Sequence, residues 1–389
     1  MTATNTKPRK LAPIIDTEDR PQFKVQGIRK ALAASLLERH EEIDLTLTAL
    51  FARESLLLVG PPGTAKSMTL ESVTKAIRGA NYFGYLLGKF TEPDELLGPI
   101  DLLAYSREGK RKRLTRGRLP EAHTVFFDEM WKASTAIANT LLKALNERVF
   151  DNGDGEVPIP MRAFVAASNE YPQDGELGAL FDRFVLRAET RYCRHRSSRR
   201  ALFASSSHAP AVPAECMLDL DELDFGYAQA QRLPIPEAVI DKVLELDDAL
   251  IKEGIHVSDR RRPKAGKLLR AWAWVQGAQA VELKHLEVLQ YLMWNDPAEQ
   301  PKKCREIVAR VANPVGMAVA ARETQVESVM AGVRDKVGAL EAVKQLEQVE
   351  KELAALPEDP RKDAALGRVA EALKHCQMVY AGLRAAKEV

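Results

Sequence analysis

The residues best suited to chemistry lie in one short stretch, where an apolar strand runs into a turn rich in Gly and Pro and then into a helical segment. Backbone N–H groups of such a turn, together with the N-terminus of the following helix, can hold phosphate groups. The Lys66 ammonium adds charge to that cradle, and the Ser67 hydroxyl can ligate Mg²⁺. The residues that we expect to contact a nucleotide here are Gly60, Pro61, Pro62, Gly63, Thr64, Ala65, Lys66, Ser67 and Met68.

Two acidic residues downstream favour this interpretation. The strict pattern G-x-x-x-x-G-K-[ST] has Gly where this chain has Ala65, so the stretch by itself also fits an ordinary strand-to-helix turn. Asp128 and Glu129, however, follow four strand-favouring residues, 124–127, and would emerge at the carboxyl end of a buried strand, where parallel α/β sheets bind ligands. Asp128 is suited to orient waters around Mg²⁺, and Glu129 to polarise an attacking water. The two acids could instead cap the next helix.

Three further polar residues could complete a hydrolytic site. Asn169 ends a third apolar strand, and its amide can position the lytic water without adding charge. Arg183 precedes another strand and could pair with Asp182 in its own subunit or reach the γ-phosphate of a nucleotide held by a neighbour. Arg260 lies at the basic start of a long apolar-periodic helix, which fits either an anion site or a solvated face.

The elements that position these residues alternate as strands and helices, which predicts an α/β fold with a parallel sheet. We expect a flexible N-terminal lead over 1–22, an α/β core over 23–204, a linker over 205–235 and an all-helical domain over 236–312. In the remainder, 313–389, apolar residues recur at helical spacing from Val326 to Leu356 and again from Leu366, which predicts a C-terminal helical hairpin broken at 357–360.

Two insertions in the core read as hairpins. The first spans 100–114 and would turn at Gly109; the second spans 149–159, with turn residues at Asn152 and Gly153 and at Asp154 and Gly155. Basic residues crowd the first: Arg107, Lys110, Arg111, Lys112, Arg113, Arg116 and Arg118. They could grip nucleic acid, but with Tyr105 as the one interleaved aromatic residue a solvated turn or a surface for acidic proteins is the better interpretation.

Composition gives no sign of nucleic-acid or membrane partners. The 389 residues carry 56 basic and 55 acidic side chains, a net charge of +1, so no overall field favours either. No apolar run approaches membrane length and no signal core begins the chain. The cysteines Cys193, Cys216, Cys304 and Cys376 have no pair spacing, which fits a reducing compartment. We therefore expect a cytoplasmic protein.

Taken together, these motifs resemble the AAA+ ATPases, and specifically the MoxR family in its RavA-like branch. The resemblance spans about residues 26–300. Its motifs are GPPGTAKS at 60–67, FTEPDELLGPI at 90–100, LTRGRLPEA at 114–122, VFFDEMWKA at 125–133, NTLLKALNER at 139–148, FVAASNE at 164–170, LFDRF at 180–184 and VSDRR at 257–261.

The resemblance implies roles for several residues. In that family Ala in place of the last loop Gly is usual, which accounts for Ala65. Asn169 is similar to sensor 1, Arg183 to an arginine finger acting on the neighbouring subunit, and Arg260 to sensor 2, with Arg261 as the alternative. The family's fold is a hexamer-forming αβα ATPase module with a helical lid. The long, partly β-stranded insertion domain of the RavA-like branch is not visible after the lid, where the helical hairpin stands instead.

The function implied is Mg²⁺-dependent ATP hydrolysis by a ring, expected to be a hexamer, that remodels or matures client proteins with a partner bearing a von Willebrand factor A domain. ATP and Mg²⁺ are the implied ligands. Two other classes stay open. One is a DNA-translocating helicase-like motor, favoured only by the basic insertion, and the other is a nucleotide-gated scaffold with little turnover, which the Asp128 and Glu129 pair disfavours.

Overall fold

The computed structural model describes residues 20–381 apart from 154, 173–176, 205–209, 334 and 357–361. The chain divides into two compact units, one formed by Met1–Ile240 with Ile255–Pro301 and the other by Asp241–Gly254 with Lys302–Val389. Most of the predicted N-terminal lead lies outside the described residues. So do the start of the 205–235 linker, the turn residue Asp154 and the predicted break at 357–360.

The first unit is built on a five-stranded parallel sheet in the order β3-β4-β7-β1-β8. Two smaller pairs, β2 with β9 and β5 with β6, lie outside that sheet. The strands are β1 Ser55–Val59, β2 Ile77–Arg78, β3 Tyr82–Leu86, β4 Thr124–Asp128, β5 Val149–Asp151, β6 Glu156–Pro158, β7 Ala163–Ser168, β8 Leu186–Glu189 and β9 Leu218–Asp219.

Helices make up most of the remaining described residues. None of them combines the length and the apolar character needed to cross a membrane. The α-helices are α1 Arg20–Ser35, α2 His40–Ala52, α3 Lys66–Lys75, α4 Pro93–Leu97, α5 Leu102–Glu108, α6 Thr135–Glu147, α7 Gly178–Phe181, α8 Arg196–Ala204, α9 Leu220–Arg232, α10 Glu237–Lys252, α11 Arg262–Val275, α12 Gln300–Ala312, α13 Pro314–Ala331, α14 Lys336–Ala354 and α15 Lys362–Tyr380.

The central strands are predominantly apolar and can be buried on both faces, as is typical of a parallel sheet. Every residue of β1 and β7 is buried, and the two strands pair in parallel with Leu57 opposite Ala166. On its other side β1 pairs with β8. This confirms the predicted α/β fold with a parallel sheet. It also brings the carboxyl ends of β1, β4 and β7 to one edge, where Asp128 ends β4, Gly60 follows β1 and Asn169 follows β7.

Helix α11 packs against α2 and α9 in the same unit. Trp272 and Trp274 on α11 are 6% and 2% exposed. The ring of Trp274 lies 4.6 Å from that of Phe51 on α2. A Cβ at Gly226 on α9 would come within 2.9 Å of Phe51 and 3.0 Å of Trp274, so the absence of a side chain at this position lets the three helices meet.

The first insertion is not the hairpin that we expected. Its two ends meet at a single antiparallel bridge between Ile100 and Arg113, and the residues between them form α5. The helix forms because the Asp101 carboxylate caps it, accepting hydrogen bonds from the N–H groups of Leu103 and Ala104, and Gly109 ends it at φ 65°. Only the turn at Gly109 was predicted correctly.

The second insertion does form a hairpin, with β5 and β6 antiparallel. It lies against the first insertion, because the Asn152 side chain accepts a hydrogen bond from the N–H of Arg113 at 2.8 Å. A Cβ at Gly153 would lie 2.4 Å from the carbonyl oxygen of Arg111, so this turn needs glycine for close approach as well as for its φ of 82°.

In the second unit, α14 and α15 form the expected C-terminal hairpin, and α13 packs against both. Residues 326–330, expected in the first arm of the hairpin, belong to α13 instead. The chain breaks there because Gly332 follows α13 and the Asp335 carboxylate caps α14. The buried residues of this core are Val319, Val326, Ala342, Leu346, Val349, Leu353, Ala365, Val369, Ala372 and Cys376.

Candidate functional site

The phosphate loop begins at Gly60, at the carboxyl end of β1. Its N–H donates to the Ser168 carbonyl at 2.9 Å, and the neighbouring Thr190 N–H donates to the Val59 carbonyl at 2.7 Å. A Cβ at Gly60 would lie 2.2 Å from the Thr190 carbonyl oxygen. No larger residue fits at this point, because the loop leaves the sheet between the ends of two neighbouring strands.

Ala65 adopts a left-handed backbone, with φ 63° and ψ 25°, immediately before α3. This is the position where the strict loop pattern has Gly, and left-handed backbone costs an ordinary residue roughly 1 kcal/mol. The loop therefore keeps the backbone geometry that glycine would adopt, and the alanine at this position is locally strained. Strain of this kind persists where the surrounding structure fixes the backbone.

Lys66 is buried at the start of α3, with its ammonium turned toward the loop. Nζ donates to the carbonyl oxygens of Gly60 at 2.6 Å and Pro61 at 3.0 Å. Burial lowers the pKa of Lys66, and the charges of Asp128 and Glu129 oppose that shift. The lysine thus lies within electrostatic reach of both acids, in a position to exchange neutral carbonyl partners for phosphate oxygens.

The two acids and the predicted sensor residue meet at the same edge. Asp128 ends β4, and Glu129 follows with a left-handed φ of 54°. The Glu129 N–H donates to Asp128 Oδ1 at 3.0 Å. The Asn169 amide donates to Glu129 Oε1 at 2.8 Å, and the Lys132 ammonium lies 3.5 Å from the same oxygen. The structure thus brings together the predicted base and the predicted water-positioning amide.

The donor set at this edge fits Mg²⁺. Magnesium takes hard oxygen ligands, commonly one or two from the protein, and completes its octahedron with water and phosphate oxygens. Ser67, exposed at the start of α3, offers a hydroxyl, and half-buried Asp128 offers a carboxylate. Within the described residues no three His, Cys, Asp or Glu side chains cluster as an all-protein metal cage would require.

Arg39, which sequence reasoning missed, supports the loop from behind. Its Nε donates to the Thr64 carbonyl at 2.9 Å, Nη2 to the Arg191 carbonyl at 2.6 Å and Nη1 to the Glu38 carbonyl at 2.8 Å. The side chain is 7% exposed. No local pattern identifies this residue, because an Arg between two helices is ordinarily solvated.

The preceding residue ties a further segment to the same support. The Glu38 carboxylate accepts hydrogen bonds from the N–H groups of Arg194 at 2.8 Å and His195 at 3.0 Å. These backbone bonds, that of Arg194 first, lower the pKa of Glu38 to about 2. Glu38 and Arg39 together therefore hold both the loop and residues 191–195.

Arg183 lies at the opposite edge of the sheet. Its carbonyl accepts a hydrogen bond from Ser55 Oγ at 2.6 Å, beside the first residue of β1. The five residues of β1 separate this point from the phosphate loop by roughly 13 Å at the rise of a strand. Among the described residues the Arg183 guanidinium forms no ion pair, and its Nε is buried without a hydrogen-bond partner.

Asp182 pairs with other arginines. Its closest ion pair is with Arg261 Nη2 at 2.6 Å, while Arg187 and Arg260 lie at 3.9 and 4.0 Å. Arg261 is 2% exposed and also donates to the Trp294 carbonyl at 2.7 Å, so its buried side chain connects Asp182 to Trp294. Burial lowers the pKa of Arg261, and Asp182 opposes that shift. Arg260 is exposed, which favours it over Arg261 as a ligand-binding residue.

Comparison with known proteins agrees with this geometry. Residues 23–217 match the family model of the MoxR domain found in MoxR-vWA-beta-propeller ternary systems, and residues 238–308 match an AAA lid domain.

Similar proteins include two uncharacterised proteins of Methanocaldococcus jannaschii. One is 33% identical over 330 residues, 83% of this chain and 87% of its own length, and the other is 34% identical over 273 residues, 70% of each. The chain is also 25% identical over 199 residues to chaperone MoxR1 of Mycobacterium tuberculosis, covering 50% of this chain and 49% of that one. A solved structure of a candidate ATPase from Cytophaga hutchinsonii matches 76% of this chain and 96% of its own, with a TM-score of 0.62 and 16% identity, and so shares the fold.

Proposed function

Because this chain belongs to the MoxR family of AAA+ ATPases, we propose that it hydrolyses ATP with Mg²⁺ in a ring of subunits, a hexamer, and uses that energy to remodel client proteins. The observation that carries the proposal is the hydrogen bond from Asn169 to Glu129, at the edge where the phosphate loop and Asp128 also lie. The RavA-like branch remains a prediction.

Each residue at this edge has a part in hydrolysis. The loop N–H groups and Lys66 bind the β- and γ-phosphates, while Ser67 and Asp128 hold the magnesium shell. When bound, the metal neutralises charge on the phosphates. Glu129 accepts a proton from the attacking water, and Asn169 orients that water. The hydrogen bond between the Asn169 amide and Glu129 Oε1 supports both roles, because base and water must share one small volume.

The position of Arg183 and Arg260 supports a ring. Both lie beside Asp182, at the edge opposite the phosphate loop, and the separation exceeds what an arginine side chain spans. The two arginines could instead act on a nucleotide bound by a neighbouring subunit, which does not require them to reach the phosphate loop of their own chain. Arg183 then stabilises the charge of the transition state, and Arg260 contacts the same phosphates. Hydrolysis in this scheme requires assembly.

The first insertion supports a protein client. Leu102 and Leu103 are 76% and 66% exposed on α5, and Tyr105 is 52% exposed beside its basic residues. Exposed apolar side chains suit a protein surface better than a phosphate backbone, which disfavours the helicase-like alternative. The matched family model, described by its MoxR-vWA-beta-propeller systems, supports a partner with a von Willebrand factor A domain. The four free cysteines support a cytoplasmic location.

Steady-state phosphate release tests the function. We expect turnover by the full chain that requires Mg²⁺. Glu129→Gln should bind ATP normally and slow hydrolysis roughly a hundredfold or more, because the base is lost, while Lys66→Ala should weaken binding as well. Glu170→Gln, an exposed neighbour of Asn169, is the matched control and should turn over normally.

Three results would contradict the proposal. Normal hydrolysis by Glu129→Gln removes its role as the base. Absence of ATP turnover in the wild type would favour the alternative function, a nucleotide-gated scaffold. Strong stimulation by DNA at physiological salt favours the translocating motor.

A further inference from the structure

A cavity of about 400 Å³ lies at the edge of the sheet opposite the phosphate loop. The start of β1 forms one wall at Ser55, and α6, α9 and α11 contribute Asn146, Tyr227 and Lys264 to the others. The volume is at the small end of the range for ligand sites, roughly 300–1,000 Å³, but half of the lining residues are charged, whereas such sites are usually apolar. Its chemistry therefore suits a small ionic ligand.

Positive charge dominates the lining. The cations are Arg53, Arg148, Arg183, Lys264 and Lys267, and the one carboxylate is Glu54. That carboxylate is shared: Lys264 Nζ lies 3.2 Å from its Oε2 and Lys267 Nζ 2.9 Å from its Oε1. The two ammonium groups thus converge on one acid, at a place where each has further hydrogen bonds to donate.

The arginines of the cavity are incompletely compensated. Arg53 pairs with Asp224 at 2.5 Å, but Asp224 also binds Arg162 at 2.7 Å. Arg148 donates to two backbone carbonyls, those of Arg53 and Met161. Arg53 Nε and Arg183 Nε are buried with no hydrogen-bond partner. Buried donors without partners are costly, so an anion with several acceptor oxygens would be stabilised here.

Capping explains two of these cations but not the others. Arg53 and Arg148 follow the ends of α2 and α6 in left-handed backbone, at φ 52° and 53°, where glycine is usual, and a cation there offsets the helix dipole. Arg183 caps no helix end in this way, and Lys264 and Lys267 lie within α11. Capping therefore does not account for these three cations: the two lysines share the single carboxylate of Glu54, and Arg183 has no ion pair among the described residues.

We propose that this cavity binds a phosphate-type oxyanion, with Lys264, Lys267 and Arg183 as its main ligands. Glu54 is the resident counter-ion, which the anion displaces from the two lysines. The oxyanion is either free in solution or the phosphate end of a nucleotide held by another copy of the chain. The second source rests on the proposed ring function, whereas the first does not.

Binding of inorganic pyrophosphate to the 389-residue chain with Lys66→Ala tests the site, because that substitution weakens the phosphate loop as a competing site. We expect calorimetric binding and a rise in melting temperature. Adding Lys264→Gln and Lys267→Gln should weaken the affinity about tenfold or more, since two charge-assisted contacts are lost. The control pair Lys302→Gln and Lys303→Gln removes the same charge from the exposed face of α12 and should bind as the parent does.

Glu54→Gln distinguishes a loss of anion ligands from a loss of folding in the lysine variants. Removing the competing carboxylate should tighten pyrophosphate binding, which no loss of folding would do. Unchanged affinity in both the lysine pair and Glu54→Gln would overturn the proposal.

ATP hydrolysis by proteins with an intact Lys66 distinguishes the two sources of the oxyanion. If the oxyanion belongs to a nucleotide held by another copy of the chain, the variant with both Lys264→Gln and Lys267→Gln should hydrolyse ATP more slowly. Mixing this variant with Lys66→Ala subunits should then restore part of the activity. A free anion predicts unchanged hydrolysis with pyrophosphate bound by isolated monomers. Pyrophosphate binding in the Lys66→Ala background does not depend on hydrolysis, so it separates failure of the site from failure of the proposed function.

Discussion

The two edges of the parallel sheet differ in how their charged groups are compensated. At the carboxyl edge the groups bond one another: Asn169 donates to Glu129, and Lys66 donates to the loop carbonyls. At the amino edge Arg183 has no ion pair among the described residues, and the arginine and lysine side chains around it outnumber the acids. The charged groups of the carboxyl edge therefore have hydrogen-bond partners within the subunit, and the amino edge is short of negative charge.

Under the proposed function, this difference corresponds to a division of labour between copies of the chain. A nucleotide bound at the carboxyl edge would bring phosphate charge to residues already arranged for it. In the proposed ring, the amino edge would offer its cations to phosphate charge from a neighbouring subunit. Binding of an external anion, whether free or held by another copy, would distinguish this edge from a merely solvated basic face.

Arg183→Ala tests whether the amino edge acts on a nucleotide bound by another copy of the chain. ATP binding should stay nearly normal while hydrolysis falls roughly a thousandfold or more, the usual worth of an arginine acting on a neighbour's phosphates. Phosphate release and nucleotide affinity measure the two parts separately. Arg305→Ala, an exposed arginine on α12, is the control.

Mixing then tests whether the site is shared. Arg183→Ala and Lys66→Ala subunits together should recover part of the activity, because some interfaces join an intact Lys66 to an intact Arg183. A role confined to one subunit predicts lower stability of Arg183→Ala and no recovery, even where mixed rings are shown to form.

Arg39→Met tests how the phosphate loop is supported at the carboxyl edge. Loss of three bonds to the Thr64, Arg191 and Glu38 carbonyls should destabilise the protein by about 1–3 kcal/mol and weaken ATP binding. The turnover of bound ATP should change less, because Arg39 positions the loop and does not touch the reacting atoms. Arg39→Lys, which keeps the charge, should recover part of the affinity. Equal loss of affinity and turnover would contradict this view.

Ala65→Gly tests the strain in the loop. Relief of the left-handed φ of 63° should stabilise the protein by about 0.5–1 kcal/mol. Ala76→Gly, at the other end of α3 with φ −79°, should destabilise it instead. Chemical denaturation of both variants gives the two signs, and a destabilised Ala65→Gly would show that the alanine is accommodated without strain.

Glu38→Gln gives the smallest effect, because the carboxylate is exposed to solvent. Its pKa is lowered from 4.5 to about 2, so its stabilising contribution is complete above pH 4.5 and is lost as pH falls toward 2. The variant should therefore lose less stability than the wild type across that window in urea titrations. Glu41→Gln, an exposed acid one turn away, serves as the control and should follow the wild type.

The carboxyl edge was predictable because its residues follow strands. An apolar run that ends in Asp128 or Asn169 identifies both the strand and the side chain that leaves it, and parallel strands end together. Arg39 gave no such signal, since its role depends on carbonyl groups 25 and 152 residues away in sequence.

Helix caps explain why the sequence pattern did not predict the helices of the first insertion and of the C-terminal region correctly. Asp101 and Gly109 are the two ends of a helix, yet the same residues fit a turn-rich hairpin, and periodicity over seven residues does not separate the two. In the C-terminal region the apolar spacing continues through Gly332 and Asp335, where the backbone changes direction between α13 and α14. The cationic cavity involves residues from 53 to 267, and no contiguous pattern could have indicated it.

Helix α6 connects the sheet edge that carries Glu129 to the two insertions. It begins six residues after Glu129 and ends just before the β5/β6 hairpin, and its 13 residues make a rod about 20 Å long. At the far end of this rod, the absence of a side chain at Gly153 lets the hairpin turn lie directly on the Arg111 backbone of the first insertion. The predicted base and both insertions are therefore linked through one helix and one backbone contact.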